Sequence, residues 1–184
     1  TYIRPSVESI EISDAIVNVP LAPITFSVDY SNVRLLQWKV SNNHDLGLKV
    51  VANQEVNNDC DLYGTYTFTL TGESPYPQSN VTEIITFYTS AGDKVEIPVT
   101  ITATLSEPFH FNIQDHGDVT VSSNWTYQDR TDHGMLPDKR FPIVISKAMT
   151  INEGELVAYG VTIDDDASVN IQPTGGLTLH AGGF

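Results

Sequence analysis

The most regular stretch of the chain is Val95-Glu96-Ile97-Pro98-Val99-Thr100-Ile101-Thr102-Ala103-Thr104-Leu105. Apolar residues occupy every second position, and mostly polar residues lie between them. Successive side chains of a β-strand point to opposite faces of its sheet, so this stretch predicts a long strand with one buried face. The turn-forming segment 90–93, Ser-Ala-Gly-Asp, separates it from an apolar run around Ile85 and Phe87. Together the two runs predict a β-hairpin.

The same alternation recurs before this hairpin, at residues 24–30, 36–40 and 66–70. An opening strand at 7–12 and a weaker one at 48–51 bring the predicted number to seven strands in about 105 residues. This count and spacing are typical of an immunoglobulin-like β-sandwich, with Trp38 as its core tryptophan. Pro98 has no N–H to donate, which predicts that its strand lies at a sheet edge or carries a bulge. Helical spacing of apolar residues is missing throughout, so we expect an all-β protein.

The pattern breaks at Ser106-Glu107-Pro108, which predicts a boundary between a first domain, residues 1–106, and a second, residues 107–184. A new strand starts with Phe109, Phe111 and Ile113 and ends in the turn-forming segment 115–118. Residues 127–142 carry Asp, Arg, Gly and Pro without periodicity, which predicts an exposed loop.

Short apolar-polar-apolar triplets follow at residues 149–151, 161–163, 169–171 and 177–179, the last three at intervals of eight residues. Turns rich in Asp and Gly separate them, at 164–166 and 175–176. Such a repeat predicts the first turns of a β-solenoid, in which short strands point apolar residues at a common axis. The alternative is a small sandwich whose strands are evenly spaced.

Nine Lys and Arg against 23 Asp and Glu give a net charge of −14. This charge repels phosphates and anionic lipids, so we expect no nucleic-acid partner and no direct membrane insertion. A lone cysteine, Cys60, excludes an internal disulfide and a site made of several cysteines. The chain opens at Thr1 without a basic, apolar leader, and we expect it to be a mature or trimmed piece of a longer polypeptide.

Two groups of segments resemble known proteins. Residues 66–72, 85–88 and 92–100 are similar to the closing strands of immunoglobulin-like repeats in secreted bacterial surface proteins. Residues 167–171 and 177–182 resemble the start of the parallel β-solenoids that follow such repeats in large adhesins and exported proteins. The resemblance covers about two thirds of the chain. It implies an extracellular location at the cell surface, and it transfers no functional residue.

Aromatic and acidic residues supply the candidate sites. Trp125 and Tyr127, near the long loop, are candidates for a stacking platform that binds a sugar or peptide, with a core role as the alternative for Trp125. Asp164 and Asp166 are candidate Ca²⁺ ligands if their turn brings them together, and a solvated acidic turn is the alternative. We expect no other cofactor.

Histidines give little indication of catalysis. His116 and His133 have acids close by in sequence, but no nucleophile motif such as Gly-x-Ser-x-Gly accompanies them. We therefore expect a chain that is not an enzyme.

The sequence predicts a structural or adhesive module of a bacterial cell-surface or secreted protein, with a protein or glycan at the cell surface as its partner. One alternative is the carbohydrate-binding or spacer portion of a polysaccharide-degrading enzyme. Another is a virion fibre or decoration protein. Under each of them, open sheet edges predict assembly by strand addition.

Overall fold

The computed structural model describes residues 2–55, 63–111 and 119–181. Within these ranges the chain forms fourteen β-strands, one turn of 3-10 helix at Ser122–Asn124, and no α-helix. The predicted all-β class is therefore confirmed. The chain divides into two compact units, Thr1–Thr104 and Leu105–Phe184. The division lies two residues before the boundary that the sequence predicts.

Two four-stranded sheets make up the described part of the first unit. Its strands are β1 (Tyr2–Pro5), β2 (Ile10–Ile16), β3 (Ile24–Ser31), β4 (Leu35–Val40), β5 (Lys49–Ala52), β6 (Tyr63–Thr71), β7 (Gln78–Thr89) and β8 (Lys94–Thr104). One sheet has the order β1-β3-β6-β5 and the other β2-β8-β7-β4. The predicted opening strand at 7–12 is confirmed only in its second half, which lies in β2. The chain forms a strand on each side of residues 6–9 instead, and these two strands join different sheets.

Aromatic rings from the two sheets meet in the core of the first unit. Phe68 of β6 contacts Phe87 of β7 edge to face, with ring centroids 4.9 Å apart. Phe26 of β3 contacts Phe87 in the same way at 6.2 Å. The alternating residues of β8 that the sequence places on the buried face, Ile97, Val99 and Ile101, are almost completely buried. Periodicity therefore identified the inward faces of these strands correctly.

Trp38 packs its ring edge to face against Phe68, at 5.1 Å, and donates a 2.9 Å hydrogen bond from Nε1 to the carbonyl of Val50. The side chain is partly buried, as a tryptophan at the margin of the core would be. The ring fills space between the two sheets while its N–H satisfies a backbone acceptor.

The predicted hairpin between β7 and β8 is confirmed, and Gly92 takes the positive φ of 86° that its turn requires. The prediction for Pro98 is wrong, because β8 lies between β2 and β7 and shows no register shift at this residue. Pro98 pairs with Ile84 of β7, but the ladder with β2 begins only at Val99. The missing N–H is tolerated because β8 is not paired with β2 at this position.

Parallel pairing dominates the second unit. Its described strands are β9 (Phe109–Phe111), β10 (Trp125–Thr126), β11 (Ile143–Ile145), β12 (Met149–Ala158), β13 (Val161–Ile163) and β14 (Val169–Leu179). One sheet has the order β10-β9-β11-β13, and β12 pairs with β14 in the other. All these pairs are parallel except β9 with β10.

The spacing of the parallel strands differs from the interval seen in the sequence. Ile143 pairs with Val161, and Leu156 pairs with Leu177, so the partners lie more than two of the predicted intervals apart. The triplets at 169–171 and 177–179 belong to one strand, β14. The regular interval between triplets was therefore not a structural repeat. A path through one strand of each sheet is called a coil below.

Apolar side chains between these strands form the core of the second unit. The cluster contains Phe109, Phe111, Val119, Trp125, Phe141, Ile143, Ile145, Met149, Ile151, Leu156 and Ala158. Residues 127–142 contain no strand, as predicted, and a bridge between Tyr127 and Arg130 is their one ladder contact.

Candidate functional site

The strand near the start of the first unit and the strand at its end lie side by side and run in the same direction. Ile10 of β2 pairs with Val99 of β8, and Ile12 pairs with Ile101. After a register shift the ladder resumes at Ala15 and Ala103. The backbone N–H of Val17 then donates a 3.0 Å hydrogen bond to the carbonyl of Thr104, the last residue of β8. The second strand of the unit and its last strand are thus joined by one parallel ladder, which we call the terminal clamp.

The terminal clamp is anchored by burial as well as by hydrogen bonds. Ile10, Ile12 and Ala15 of β2 are buried, and Val17 just after the strand is completely buried. Water therefore has little access to the inward side of this ladder, and separating β2 from β8 would expose both apolar side chains and backbone groups. This makes the clamp costly to open.

A buried carboxylate, Glu83, holds the loop between β4 and β5 against β7. The Ser41 hydroxyl donates a hydrogen bond to Glu83 Oε2. The backbone N–H of His44 donates to Oε1 at 2.7 Å, and the Nδ1 atom of His44 lies 2.9 Å from the same oxygen. Tyr76 adds a further link by donating from its hydroxyl to the carbonyl of His44 at 2.8 Å.

Burial of Glu83 acts to raise its pKa, but hydrogen bonds from Ser41, the Asn43 backbone and His44 outweigh burial and hold the pKa below its ordinary value. The carboxylate is therefore ionised in the folded protein at neutral pH. The sequence did contain a signal for this buried carboxylate. Glu83 lies at every second position with Ile85 and Phe87, so it points to the same inward face of β7.

Serine, histidine and glutamate meet here in the wrong order for nucleophile activation. A catalytic histidine lies between the nucleophile and the acid, whereas here Glu83 lies between Ser41 and His44. The Ser41 oxygen also accepts a 2.8 Å hydrogen bond from the N–H of Ile84. The arrangement fixes a loop.

Trp125 does not lie on the surface, so the predicted stacking role for this residue is wrong. Its side chain has no exposed area, and Nε1 donates a 3.0 Å hydrogen bond to the carbonyl of Val119. Tyr127 is partly buried and stacks on Phe109, with ring centroids 4.6 Å apart. The two rings therefore form no shared platform, because Trp125 lies in the apolar core and Phe109 covers one face of Tyr127.

His133 fixes the start of the long loop. Its Nδ1 accepts a 3.1 Å hydrogen bond from the N–H of Met135, and Nε2 lies 3.0 Å from the carbonyl of Trp125. Both ring nitrogens are therefore used, one as acceptor and one as donor. Its neighbour Asp132 pairs with Arg130, and this hydrogen bond lowers the pKa of Asp132. The other histidine near acids, His116, lies outside the described residues, as do Cys60 and Ile113.

Asp164 and Asp166 lie between β13 and β14, and both are exposed. The N–H of Ala167 donates to the backbone carbonyl of Asp164 at 2.9 Å and closes the turn. Across residues 2–55, 63–111 and 119–181, no three His, Cys, Asp or Glu side chains converge in a way that could hold a metal ion. Calcium binding by the two aspartates stays a prediction.

A surface cleft of about 330 Å³ lies beside β2. Its lining is mostly apolar and includes Ile16, Val19 and Leu21, with Glu11 and Asp14 at the same cleft. A second cleft of about 450 Å³ is lined by Thr120, Thr150, Asn152, Glu153 and Gly154.

The part of the chain that the structure describes has no helix long and apolar enough to cross a bilayer.

No protein-family model matches the chain, and no curated protein matches its sequence. Among solved structures, domains 4–9 of the surface layer protein SbsC are similar to it, with a TM-score of 0.36 and 15% sequence identity. The match covers 71% of this chain and 18% of that one. The chain thus corresponds to less than a fifth of the SbsC structure.

Proposed function

We propose that this chain is a non-catalytic, load-bearing segment of a bacterial cell-surface or secreted protein. The first unit serves as a spacer, and the second begins a stalk or display platform. No cofactor takes part. The observation that carries the proposal is the terminal clamp, in which β2, the second strand of the first unit, runs parallel to β8, its last strand.

Parallel pairing of terminal strands determines how the unit resists tension. A force applied between residue 9 and the end of the unit pulls β2 by its N-terminal end and β8 by its C-terminal end. Because the strands are parallel, they are pulled in opposite directions along their axes, and all hydrogen bonds of the ladder carry the load together. Antiparallel terminal strands pulled in this way would separate one hydrogen bond at a time.

Strand order in the first unit supports an immunoglobulin-like sandwich. The sheet β1-β3-β6-β5 has the order A-B-E-D of that fold when the strands are lettered along the chain. The sheet β4-β7-β8 corresponds to C-F-G, and β2 extends it beside β8. Trp38 occupies the strand on which the fold places its core tryptophan. Phe26, Phe68 and Phe87 stabilise the contact between the sheets in a chain that has no disulfide.

Parallel pairing in the second unit supports a β-solenoid. β11 pairs with β13 and β12 with β14, each partner lying one coil later in the chain. Coils that stack in this way extend a protein along one axis, because each contacts only its neighbours. Such geometry suits a stalk that holds another part of a protein away from a surface.

Charge and composition support an extracellular location. The net charge of −14 keeps the surface soluble and repels nucleic acid and anionic lipid. We infer that the partner is a protein or glycan at the cell surface. The resemblance of residues 66–72 and 167–182 to segments of bacterial surface proteins points in the same direction.

Single-molecule force spectroscopy tests the load-bearing role. Handles at Ser9→Cys and Glu107→Cys, in a Cys60→Ser background, pull β2 and β8 in opposite directions. Handles at Ser9→Cys and Asp93→Cys pull the neighbouring ends of the same two strands and peel them apart. We expect a clearly higher unfolding force for the first pair, because the whole ladder must break at once. Equal unfolding forces for the two handle pairs would contradict the proposed load-bearing role.

A further inference from the structure

Burial changes abruptly between register partners in the second unit. Ile145 of β11 is completely buried, but its partner Ile163 of β13 is 47% exposed. Ile151 of β12 is completely buried, but its partner Ile171 of β14 is 46% exposed. Further along β14, Leu179 is 45% exposed opposite the completely buried Ala158. Three apolar side chains of the last coil thus lack the cover that their partners one coil earlier have.

These three residues, Ile163, Ile171 and Leu179, lie on strands that end their sheets. Among the described residues, β13 is the last strand of β10-β9-β11-β13, and β14 has β12 as its one neighbour. The face of the last coil that carries them, called the open face below, therefore also has strand edges free for pairing.

At the opposite end of the unit one sheet is closed, although the outer edge of β12 in the other sheet pairs with no described strand. The outer edge of β9 pairs with β10, which runs antiparallel to it and ends the sheet. Phe111 and Trp125 of these strands are buried. Incomplete burial of apolar partners is therefore a property of one end of the stack.

We propose that a further coil of the same polypeptide stacks on the open face, in parallel register with β13 and β14. This inference rests on the proposed solenoid in the second unit. Each residue of the coil would follow the position it covers by 21 residues, the spacing by which Leu177 follows Leu156. The coil would carry apolar residues at the alternating positions that oppose Ile163, Ile171 and Leu179.

Charge argues against a second copy of the chain as the occupant. Asp164, Asp165 and Asp166 are exposed between the two strands of the last coil, and the chain has a net charge of −14. Two open faces brought together would place these acids near one another. A head-to-tail copy could pair with the outer edge of β12 but not with that of β9, which β10 occupies. A following coil meets neither obstacle.

The chain itself supplies the probe for this proposal. Because Ala158 pairs with Leu179, residues 180–181 correspond to residues 159–160, which connect β12 to β13. A copy of residues 161–181 attached directly after Ala181 therefore preserves the spacing of one coil. The matched control is the same extension with serine at its copied positions 161, 163, 169, 171, 177 and 179.

We expect the extended chain to unfold at least about 4 °C above the control extension, because the added coil buries apolar surface of the last one. Hydrogen exchange at β13 and β14 should slow by at least about tenfold in the extended chain alone. Equal melting temperatures and unchanged exchange would overturn the proposal.

Two further measurements distinguish a following coil of the same polypeptide from other occupants of the open face, such as a second copy of the chain. A mass of the native polypeptide well above 20.2 kDa is expected, and a mass equal to it would overturn the proposal. Sedimentation of the 184-residue chain should show a monomer, whereas a dimer abolished by Ile171→Asp would assign the face to a second copy. Unprotected amides in both β12 and β14 of the unextended chain would show that the solenoid itself fails. The load-bearing role of the first unit would be unaffected.

Discussion

The backbone N–H of His44 donates a 2.7 Å hydrogen bond to the carboxylate of Glu83, which lies far from it in sequence. The side chain of Glu83 has no exposed area, so this bond lies out of water and joins a loop to the middle of β7. Removing the carboxylate leaves the loop donors without a charged acceptor.

Glu83→Gln should lower the free energy of unfolding by about 1–3 kcal/mol at neutral pH, because a neutral amide offers one acceptor oxygen in place of two. Urea denaturation measures this loss. Glu96→Gln is the control, since Glu96 is exposed and its 2.6 Å pair with Lys94 lies in water. That variant should unfold almost as the parent does. Equal losses of unfolding free energy in the two variants would show that the hydrogen bonds of Glu83 stabilise the fold no more than an exposed ion pair does.

The contribution of Glu83 should depend on pH in a defined direction. The folded state lowers the pKa of this carboxyl below the ordinary value of 4.5, so protons bind the unfolded chain more readily. Its stabilising effect is complete above that ordinary pKa and disappears as the pH falls through the lowered value. The difference in unfolding free energy between the parent and Glu83→Gln should therefore shrink under acid. A difference that stays constant down to about pH 2 would contradict the lowered pKa.

Gly175→Ala should destabilise the second unit by about 1–3 kcal/mol, because an added Cβ on β14 would overlap the backbone carbonyl of Ile151. Gly176→Ala is a matched control on the same strand. Its added Cβ would first meet Glu155 at 3.7 Å, an ordinary contact. Urea denaturation of both variants gives the comparison. If both variants unfold alike, β12 and β14 do not approach as closely as the structure shows.

Trp125→Phe should lower the free energy of unfolding by about 1–3 kcal/mol, because the buried carbonyl of Val119 loses its donor. Thermal denaturation measures the effect, and Leu136→Ala, an exposed change in the same unit, should have little. Intrinsic fluorescence of Trp125 in a Trp38→Phe background should not respond to added oligosaccharide. A saturable response would return Trp125 to the role of a ligand-binding residue.

Alternation predicted most strands of the first unit because each has one face in an apolar core and one face in water. Ile97, Val99 and Ile101 show this directly, since they are buried between exposed or half-buried neighbours. The short strand β1 was missed, and β2 was predicted to start three residues too early, because the chain changes sheet between them. Sequence periodicity carries no information about which sheet a strand joins.

Contacts between distant residues account for the rest of what the sequence did not reveal. The partners of Glu83 lie in the loop at 41–44, and no local pattern connects them to β7. In the second unit, the regular interval between triplets was misleading, because Gln172, Pro173 and Thr174 divide β14 into two apolar groups without ending it. The parallel partner β12, which lies one coil earlier in the chain, defines the strand.

The antiparallel strand β10 bears on the order in which the strands of the second unit can pair as the chain is synthesised. It closes the edge of β9, so a further strand can join the sheet β10-β9-β11-β13 beside β13, the side made later during synthesis. If the second unit is a solenoid as proposed, each coil that leaves the ribosome would find a finished edge on which to pair. Proteins that fold in this order expose one incomplete coil at any moment, and this limits the time available for wrong pairing between chains.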